Sequence, residues 1–478
     1  MHVAAECSPF VRTGGLGEAV AGLADAQARA GHRVMVFAPL YAAVRSVVGD
    51  LTPIGPAHSF ELGARREDFR LLRAPSRRGE PEIVFVDAPQ YFARTGIYGD
   101  STGAYQDNAR RFALLSIAAL IGMPRMTRQV SVLHAHDWHT ALAPIYLRTD
   151  PRFVLHYAKT PTVLSVHNAA YQGTFPAPTM EDLGLRSDLW AADKLEAWGE
   201  VNLLKGGLAL ADLTVTVSPS HAAELVTDVG GFGLAHHFRL LGDRLVGITN
   251  GIDQEVWDPG TDSAAPSTYA SSDLSGKAQC KAALQCEVGL PRRADVPLFA
   301  MSARLVQQKG FDLVLASRRV WHADAQFVFL GAGDAHYRDA LLALARERPA
   351  NVATQFDFTD LREHRLLAGA DFLLMPCLYE PCGLTQMRAQ RYGVPVVARN
   401  VGGLRDTIID GATGFLFADY SAESFDEGVD RALQLFADPA VLQATRRSAM
   451  SRDFAWERSA AAYLDVYERA AAHAMVSG

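Results

Sequence analysis

The chain is organised around the stretch Leu378-Tyr379-Glu380-Pro381-Cys382-Gly383-Leu384-Thr385-Gln386-Met387. The apolar run before it, 371–376, has the length and composition of a buried parallel strand, and residues 384–392 predict a short helix. Glu380 therefore lies where a strand leads into a helix, at the sheet edge where doubly wound folds bind ligands. A carboxylate beside free helix-start amides suits a polyhydroxylated ligand that carries phosphate, and the alternative is a plain Pro-Gly turn. The amides in question are those of Gly383, Leu384 and Thr385.

Composition narrows the class of protein. With 478 residues, 49% hydrophobic and 21% charged, the chain fits a soluble globular protein of two or three domains. Its five cysteines form no CxxC pair, which favours a reducing compartment and disfavours structural zinc. A net charge of −7 without basic blocks argues against a nucleic-acid partner. No apolar run approaches the roughly 18 residues of a membrane span and no signal-peptide pattern opens the chain, so we expect a cytoplasmic protein without a membrane partner.

The amino-terminal half predicts a strand, glycine loop, helix, strand unit. A strand over 2–6 leads into the glycine-rich loop 10–18, and the next strand covers 34–38. Three glycines allow the loop backbone to approach a ligand, and Arg12 adds a fixed positive charge. The loop does not match the spacing of a dinucleotide fingerprint, and a simple tight turn is the alternative interpretation.

The motif His134-Ala135-His136-Asp137-Trp138-His139 follows the next predicted strand. Three imidazoles and a carboxylate could form a metal site, but no further cluster completes the ligand set, and buried histidines are common at strand ends. We favour a strand end that presents Asp137 and Trp138 to a sugar, and we expect no metal. A strand over 162–166 similarly leads to a polar cluster that begins at His167. The segment 201–207 is predicted to lie on a helix.

The strand and helix alternation restarts in the carboxy-terminal half. The strand 298–302 precedes Arg304 and Lys309, two cations that suit a diphosphate leaving group, although solvated surface charge is the usual fate of such residues. The Ser-, Ala-, Thr- and Pro-rich segment 260–276 reads as a linker or surface loop. We therefore expect a first domain over 1–255 and a second domain over 256–455. A helix over 456–478 follows, in which Tyr463, Val466 and Tyr467 could pack on one face.

Together these motifs resemble those of bacterial glycogen synthases, and they occur in that family's order across nearly the whole chain. The matching residues are Thr13-Gly14-Gly15-Leu16-Gly17, Asp107-Asn108, Arg111-Phe112-Ala113-Leu114, His134 to His139, His167-Asn168, Ala170-Tyr171-Gln172-Gly173, Leu203-Leu204-Lys205-Gly206-Gly207, Asn250-Gly251-Ile252-Asp253, Arg304, Gln308-Lys309-Gly310 and Glu380 to Gln386. The resemblance implies an α/β fold of two Rossmann-like parallel-sheet domains that face each other across a cleft, the GT-B architecture. It also implies that the helix over 456–478 packs back on the first domain. It also implies a hexosyltransferase without a cofactor that transfers glucose from ADP-glucose to the non-reducing 4-hydroxyl of an α-1,4-glucan, with retention.

The resemblance also implies roles for individual residues. Four would be catalytic: Glu380, Arg304, Lys309 and His167. Eight would bind substrate: Arg12, Gly15, Asp137, Asn250, Cys382, Gly383, Leu384 and Thr385. In this scheme the two cations neutralise the departing ADP phosphates, Glu380 holds glucose hydroxyls and His167 lies beside the anomeric carbon.

Four positions depart from the family pattern and bear on nucleotide preference: Glu18, His221, Phe358 and Arg388. The alternatives are a related GT-B glucosyltransferase that uses UDP-glucose or another acceptor, and a non-catalytic glucan-binding homologue.

Overall fold

The computed structural model describes residues 1–127 and 129–477 of the chain. These residues form two compact units, one made of Met1–Gly251 with Trp456–Gly478 and the other of Ile252–Ala455. The chain therefore passes between the units twice, after Gly251 and after Ala455. No helix in the described ranges is long and apolar enough to cross a membrane.

The first unit is built on a large, mainly parallel sheet. Its strands are β1 (His2–Val3), β2 (Met35–Pro39), β3 (Thr52–Pro53), β4 (His58–Leu62), β5 (Arg65–Arg73), β6 (Glu82–Asp87), β7 (Gly99–Asp100), β8 (Gly103–Ala104), β9 (Leu133–His136), β10 (Thr162–Val166), β11 (Thr174–Pro176), β12 (Glu196–Ala197), β13 (Glu200–Asn202), β14 (Leu213–Thr216) and β15 (Leu245–Gly247). Within the described residues, ten strands form one sheet in the order β15-β14-β10-β9-β1-β2-β6-β5-β3, with β4 paired to β5. From β15 to β6 neighbouring strands are parallel.

Ten helices of the first unit alternate with these strands along the described part of residues 1–251. They are α1 (Gly15–Arg29), α2 (Ala42–Arg45), α3 (Pro89–Phe92), α4 (Asn108–Met126), α5 (Asp137–Thr140), α6 (Leu142–Thr149), α7 (Thr179–Asp182), α8 (Leu203–Leu210), α9 (Pro219–Leu225) and α10 (Ala235–Leu241). Helix α1 buries one face, on which Val20, Leu23, Ala24 and Ala28 lie. The central strand β10 is buried at every residue, as expected for a parallel strand covered on both faces.

The second unit repeats the architecture with a fully parallel sheet. Its strands are β16 (Leu298–Ser302), β17 (Gln326–Leu330), β18 (Val352–Gln355), β19 (Phe372–Met375), β20 (Val396–Arg399) and β21 (Gly414–Phe417). In the described range 252–455 they lie in the order β18-β17-β16-β19-β20-β21. The helices are α11 (Ser275–Glu287), α12 (Phe311–Ala316), α13 (Arg318–His322), α14 (Ala335–Glu347), α15 (Asp360–Gly369), α16 (Thr385–Arg391), α17 (Gly402–Thr407), α18 (Ala422–Phe436) and α19 (Pro439–Met450).

The last helix, α20 (Trp456–Ser477), belongs to the first unit. It packs against α1 and the sheet, where Tyr463 and Val466 are buried as predicted. Gly22 of α1 lets the helices approach, because a Cβ at that position would overlap the Trp456 indole.

Three local expectations need correction. The first strand covers only His2–Val3 rather than 2–6, because the Glu6 side chain turns to the glycine loop. The segment 201–207 is not wholly helical, since 201–202 belong to β13 and Asn202 caps α8. The segment 260–276 is irregular, yet it holds the buried Tyr269, whose hydroxyl donates to the Tyr392 carbonyl.

Candidate active site

The second unit brings two polar loops together at the carboxyl edge of its sheet. The chain order reverses between β16 and β19, which are parallel neighbours. The loop after β16 carries Arg304 and Lys309, and the loop after β19 carries Glu380. Such a reversal leaves a crevice outside the strand ends, where open α/β sheets bind ligands. The Leu378 amide donates to the Gln308 carbonyl at 2.8 Å, which ties the loops directly.

Lys309 and Glu380 form an ion pair at the centre of this edge. Their side chains are 17% and 7% exposed, and the buried Cys377 thiol also donates to the Glu380 carboxylate, at 3.4 Å. Burial alone would lower the pKa of Lys309, but the carboxylate outweighs it and the pKa is raised. The pair therefore holds a fixed cation and a fixed anion side by side.

Arg304 differs from Lys309 in its surroundings. It lies on the exposed part of the same loop, and within residues 1–127 and 129–477 its guanidinium has no hydrogen-bond or ion-pair partner. An unpaired guanidinium beside a paired lysine can accept a phosphate without first breaking an ion pair.

The turn after Glu380 is rigid. Gly383 has φ +74°, which favours glycine, and Gln386 donates to the carbonyls of Cys382 and Gly383 at 2.9 and 3.0 Å. The Gly403 amide donates to the Glu380 carbonyl at 3.0 Å. Helix α16 begins at Thr385, so its first-turn amides lack intrahelical acceptors and can bind an anion.

The first unit has a matching reversal between β1 and β9. After β1, the buried Glu6 carboxylate accepts from the Thr13 amide at 2.7 Å, from the Thr13 hydroxyl at 2.6 Å and from the Tyr98 hydroxyl at 2.5 Å. These bonds hold the glycine loop, in which Arg12 pairs with Glu18 at 2.5 Å and Gly15 begins α1. Sequence reasoning missed Glu6, because a single acidic residue after a strand carries no local signal.

Asp137 and His167 are brought together from neighbouring strand ends. Asp137 has φ +56°, and its Oδ1 accepts the His167 amide at 2.7 Å. Burial raises the pKa of Asp137 to about 7, against the opposing effect of the backbone N–H groups. Burial lowers the pKa of His167 to about 4, so its imidazole is neutral at pH 7.

Asp137 was predicted to offer a polar contact to a sugar. In the structure its Oδ1 accepts the backbone amides of His167 and Asn168. A groove of about 970 Å³ in the first unit is lined by Trp138, Tyr171, Phe175 and Phe232. Tyr171 is 53% exposed, and aromatic faces of this kind stack on sugar rings. Trp138, which we expected to present a stacking contact to a sugar, is one of the residues that line this groove, and its role stays a prediction.

Two of the three histidines that suggested a metal site, His134 and His136, lie in the core together with His2, whereas His139 is not part of this cluster. Ligand atoms of His2, His134 and His136 come within 4.8 Å of one another. Each of their ring nitrogens already has a hydrogen-bond partner, and the His134 and His136 rings stack at 4.2 Å. This arrangement favours the predicted core histidines over a convergent ligand set.

Asn250 closes the first unit just before the chain leaves it. Its side chain is 7% exposed, and its Oδ1 is buried without a hydrogen-bond partner among the described residues. An orphaned buried acceptor of this kind is typical of a group that a ligand completes.

The motifs at these sheet edges also match known proteins. The Starch synthase catalytic domain family matches residues 1–240, and Glycosyl transferases group 1 matches residues 289–445. Glycogen synthase 2 of Geobacter sulfurreducens is 39% identical, with 98% of each chain covered. A glycogen synthase of Anaeromyxobacter sp. is 42% identical, with 99% of each covered.

The chain belongs to the glycogen and starch synthase family of glycosyltransferases.

Solved structures agree with this assignment. The catalytic domain of starch synthase IV from Arabidopsis thaliana, bound to ADP and acarbose, superposes with a TM-score of 0.90 at 30% identity. That comparison covers 98% of this chain and 99% of the plant chain. A sucrose-phosphate synthase from Thermosynechococcus elongatus shares the fold, with a TM-score of 0.61 at 18% identity and 98% of each chain covered. The predicted α/β class with two parallel-sheet domains is confirmed.

The residues assigned by sequence fall into two groups in this glycosyltransferase. The second unit carries seven of them on the loops after β16 and β19 and at the start of α16: Arg304, Lys309, Glu380, Cys382, Gly383, Leu384 and Thr385. The first unit brings Asp137 and His167 into contact and places Arg12 and Gly15 on one loop. Their individual roles remain predictions.

Proposed function

We propose that this enzyme transfers the glucosyl unit of ADP-glucose to the non-reducing 4-hydroxyl of an α-1,4-glucan such as glycogen, with retention at C1. The observation that carries the proposal is the cluster at the second sheet's reversal, where Arg304 and Lys309 lie on one loop and Glu380 on the next. A binding module has no need for two cations at a leaving-group position. The starch synthase IV relative is described as bound to ADP and acarbose, which supports an adenine nucleotide and a glucan-like acceptor.

The reaction breaks the C1–O bond to the diphosphate and forms a C1–O bond to the acceptor on the same face of the sugar. Positive charge builds on the sugar ring and negative charge on the departing ADP. Arg304 and Lys309 would stabilise that negative charge, which is the main electrostatic contribution expected for this chemistry. The acceptor's hydroxyl proton would pass to a phosphate oxygen of ADP, so no separate base is required.

The other predicted residues fit the same reaction. Glu380 would hold glucose hydroxyls, and the first amides of α16 would receive the distal phosphate. His167, neutral at pH 7, would lie beside the anomeric carbon as a hydrogen-bonding group. Arg12, Gly15 and Asn250 are assigned to substrate binding by the family resemblance, and the aromatic groove of the first unit suits the glucan.

Two further points belong to the proposal. No pair of acidic residues typical of metal-dependent glycosyltransferases occurs in the matched motifs, so we expect activity without added metal. A cytoplasmic location would suit the five free thiols, of which four are buried.

A donor panel tests the proposal. The purified enzyme would be mixed with glycogen and either ADP-glucose or UDP-glucose, with and without a chelator, while released nucleotide and the anomeric form of the new linkage are measured. We expect ADP release with α-1,4 chain extension and no effect of the chelator. Release only from UDP-glucose, a β-linked product or nucleotide release without chain extension would each contradict the proposal.

A further inference from the structure

A chain of buried and partly buried hydrogen bonds runs from the carboxy-terminal helix to His167. Tyr467 on α20 contacts Gln27 on α1, with the Gln27 Nε2 donating to the hydroxyl at 3.0 Å. The Gln27 Oε1 lies 2.9 Å from the His2 Nε2. The His2 Nδ1 lies 3.0 Å from the His136 Nε2, and the His136 Nδ1 lies 3.0 Å from the His167 Nε2. We call the residues 467, 27, 2, 136 and 167 the imidazole relay.

Every ring in the relay is neutral near pH 7. Burial lowers the pKa of His2 to about 3, that of His136 well below its ordinary 6.5 and that of His167 to about 4. A neutral imidazole has one N–H donor and one lone-pair acceptor. If one nitrogen of a ring donates a hydrogen bond, the other nitrogen of that ring can therefore only accept one.

The direction of the relay follows from the Gln27 amide. Its carbonyl oxygen can only accept, so the His2 Nε2 carries the proton and the His2 Nδ1 is an acceptor. The His136 Nε2 then donates to His2, which leaves the His136 Nδ1 as an acceptor. The His167 Nε2 donates to His136 in turn, so the His167 Nδ1 carries a lone pair.

The groups at the other end of the relay are consistent with this orientation of the Gln27 amide. Because Gln27 donates to the Tyr467 hydroxyl, that hydroxyl donates its own proton to the His134 Nδ1, 2.8 Å away. The His134 Nε2 then donates to the Ser165 hydroxyl at 2.7 Å. Reversing Gln27 would require all of these groups to reverse together, which couples the tautomer of His167 to residues on α1 and α20.

We propose that Gln27 and Tyr467 are positioning residues that hold His167 as the Nε2-protonated tautomer. Its Nδ1, which has no partner among the described residues, then accepts a hydrogen bond from a hydroxyl of the glucosyl unit. Only this last step rests on the proposed function. Gln27 is a polar residue on the buried face of α1.

The tautomer can be measured directly in the ligand-free enzyme. Protein labelled with ¹⁵N-histidine gives distinct NMR signals for protonated and unprotonated ring nitrogens, and His167→Gln identifies the His167 signals among those of the 15 histidines. We expect the proton on the Nε2 of His167 in the wild-type enzyme. A proton on its Nδ1 would overturn the proposal whether or not the enzyme transfers glucose.

Two substitutions at Gln27 separate positioning from packing. Gln27→Glu keeps an acceptor oxygen toward His2, so it should preserve the tautomer and keep kcat within about twofold. Gln27→Met keeps the size but loses the acceptor, so it should give mixed tautomers and lower kcat about tenfold, the effect of one misdirected hydrogen bond. A purely structural role predicts the opposite order, since Met suits an apolar site better than a buried charge.

A tyrosine pair supplies the second test. Tyr467→Phe removes the acceptor that orients Gln27, and we expect mixed His167 tautomers and a several-fold lower kcat. The control Tyr157→Phe deletes another buried hydroxyl of the first unit, which donates to the Leu120 carbonyl at 2.6 Å, and should change neither readout. If Tyr467→Phe and Tyr157→Phe had the same His167 tautomer and the same kcat, Gln27 and Tyr467 would not be positioning residues. Loss of kcat in Gln27→Glu would contradict the proposal as well. Wild-type enzyme without glucosyl transfer would instead contradict the proposed function, with the NMR result unaffected.

Discussion

At the scale of single residues, Glu380 is the group on which the second unit's loops converge. Its carboxylate accepts from Lys309 and Cys377, and its backbone carbonyl accepts from Gly403. Glu380→Gln keeps the size and the backbone contacts but removes the charge. We expect kcat to fall about tenfold or more, because a charged hydrogen bond contributes about 1.5–3 kcal/mol. Steady-state kinetics with ADP-glucose and glycogen measure the change.

The matched control for this change is Glu347→Gln, which neutralises a side chain that is 69% exposed in the same unit. Its kcat should equal that of the wild-type enzyme. Wild-type turnover in Glu380→Gln, with an unchanged melting temperature, would show that the carboxylate has no part in the reaction.

Arg12 carries the second prediction at this scale. The structure pairs it with Glu18 on the glycine loop, so the guanidinium is oriented before any ligand binds. Arg12→Lys should stay active because it keeps the charge, whereas Arg12→Ala should lose about tenfold in kcat/KM for ADP-glucose. The KM for glycogen should change little, and Arg66→Ala, on an exposed strand, is the control. If Arg12→Ala matches the wild type for the donor, its assignment to the donor phosphates is wrong.

At the scale of elements, the contact between α1 and α20 depends on Gly22. An alanine inside a helix normally adds up to about 1 kcal/mol of stability relative to glycine. Here its Cβ would overlap the Trp456 ring, and overpacking costs about 1–3 kcal/mol, so we expect Gly22→Ala to lower the melting temperature. Gly49→Ala, where an added Cβ meets no atom within 4 Å, is the control. A melting temperature equal to or above that of the wild type would contradict this packing.

At the scale of the whole molecule, buried neutral histidines make stability sensitive to acid. Burial lowers the pKa values of His2 and His139 to about 3, that of His167 to about 4 and those of His134 and His136 well below 6.5. The unfolded chain takes up these protons near pH 6.5 while the folded chain does not. Their stabilising contribution is complete above pH 6.5 and is lost as pH falls toward the folded pKa values.

Each such histidine contributes a slope of about 1.4 kcal/mol per pH unit below pH 6.5. Asp137 has its pKa raised to about 7, so its contribution to stability increases as the pH falls, opposite to that of the histidines. Because Asp137 is one group and the histidines are five, the effect of the histidines dominates. Calorimetric unfolding between pH 7.5 and pH 5 should therefore show a steep fall in melting temperature. His32→Gln, which alters an exposed histidine, should leave that slope unchanged, and a flat profile in the wild type would contradict the prediction.

The sequence by itself determined the elements, the fold class and the family. The strands at Thr162–Val166 and Leu298–Ser302 have the predicted bounds. Short parallel strands buried on both faces are continuous apolar runs, so their signal is local. The polar motifs are local as well, because each follows the end of its own strand. This is why Arg304, Lys309 and Glu380 could be proposed before their positions were known.

Only the tertiary structure decided which strand ends, with the polar motifs that follow them, become neighbours. Lys309 and Glu380 are 71 residues apart, and they pair because β16 and β19 lie side by side where the chain order reverses. The relay to His167 joins four further segments, and Tyr467 lies 440 residues from Gln27. Strand order and the docking of the last helix result from long-range packing, which no local pattern encodes. For that reason only the folded chain shows the contacts of three residues that we assign to the site or the relay: Glu6, Gln27 and Tyr467.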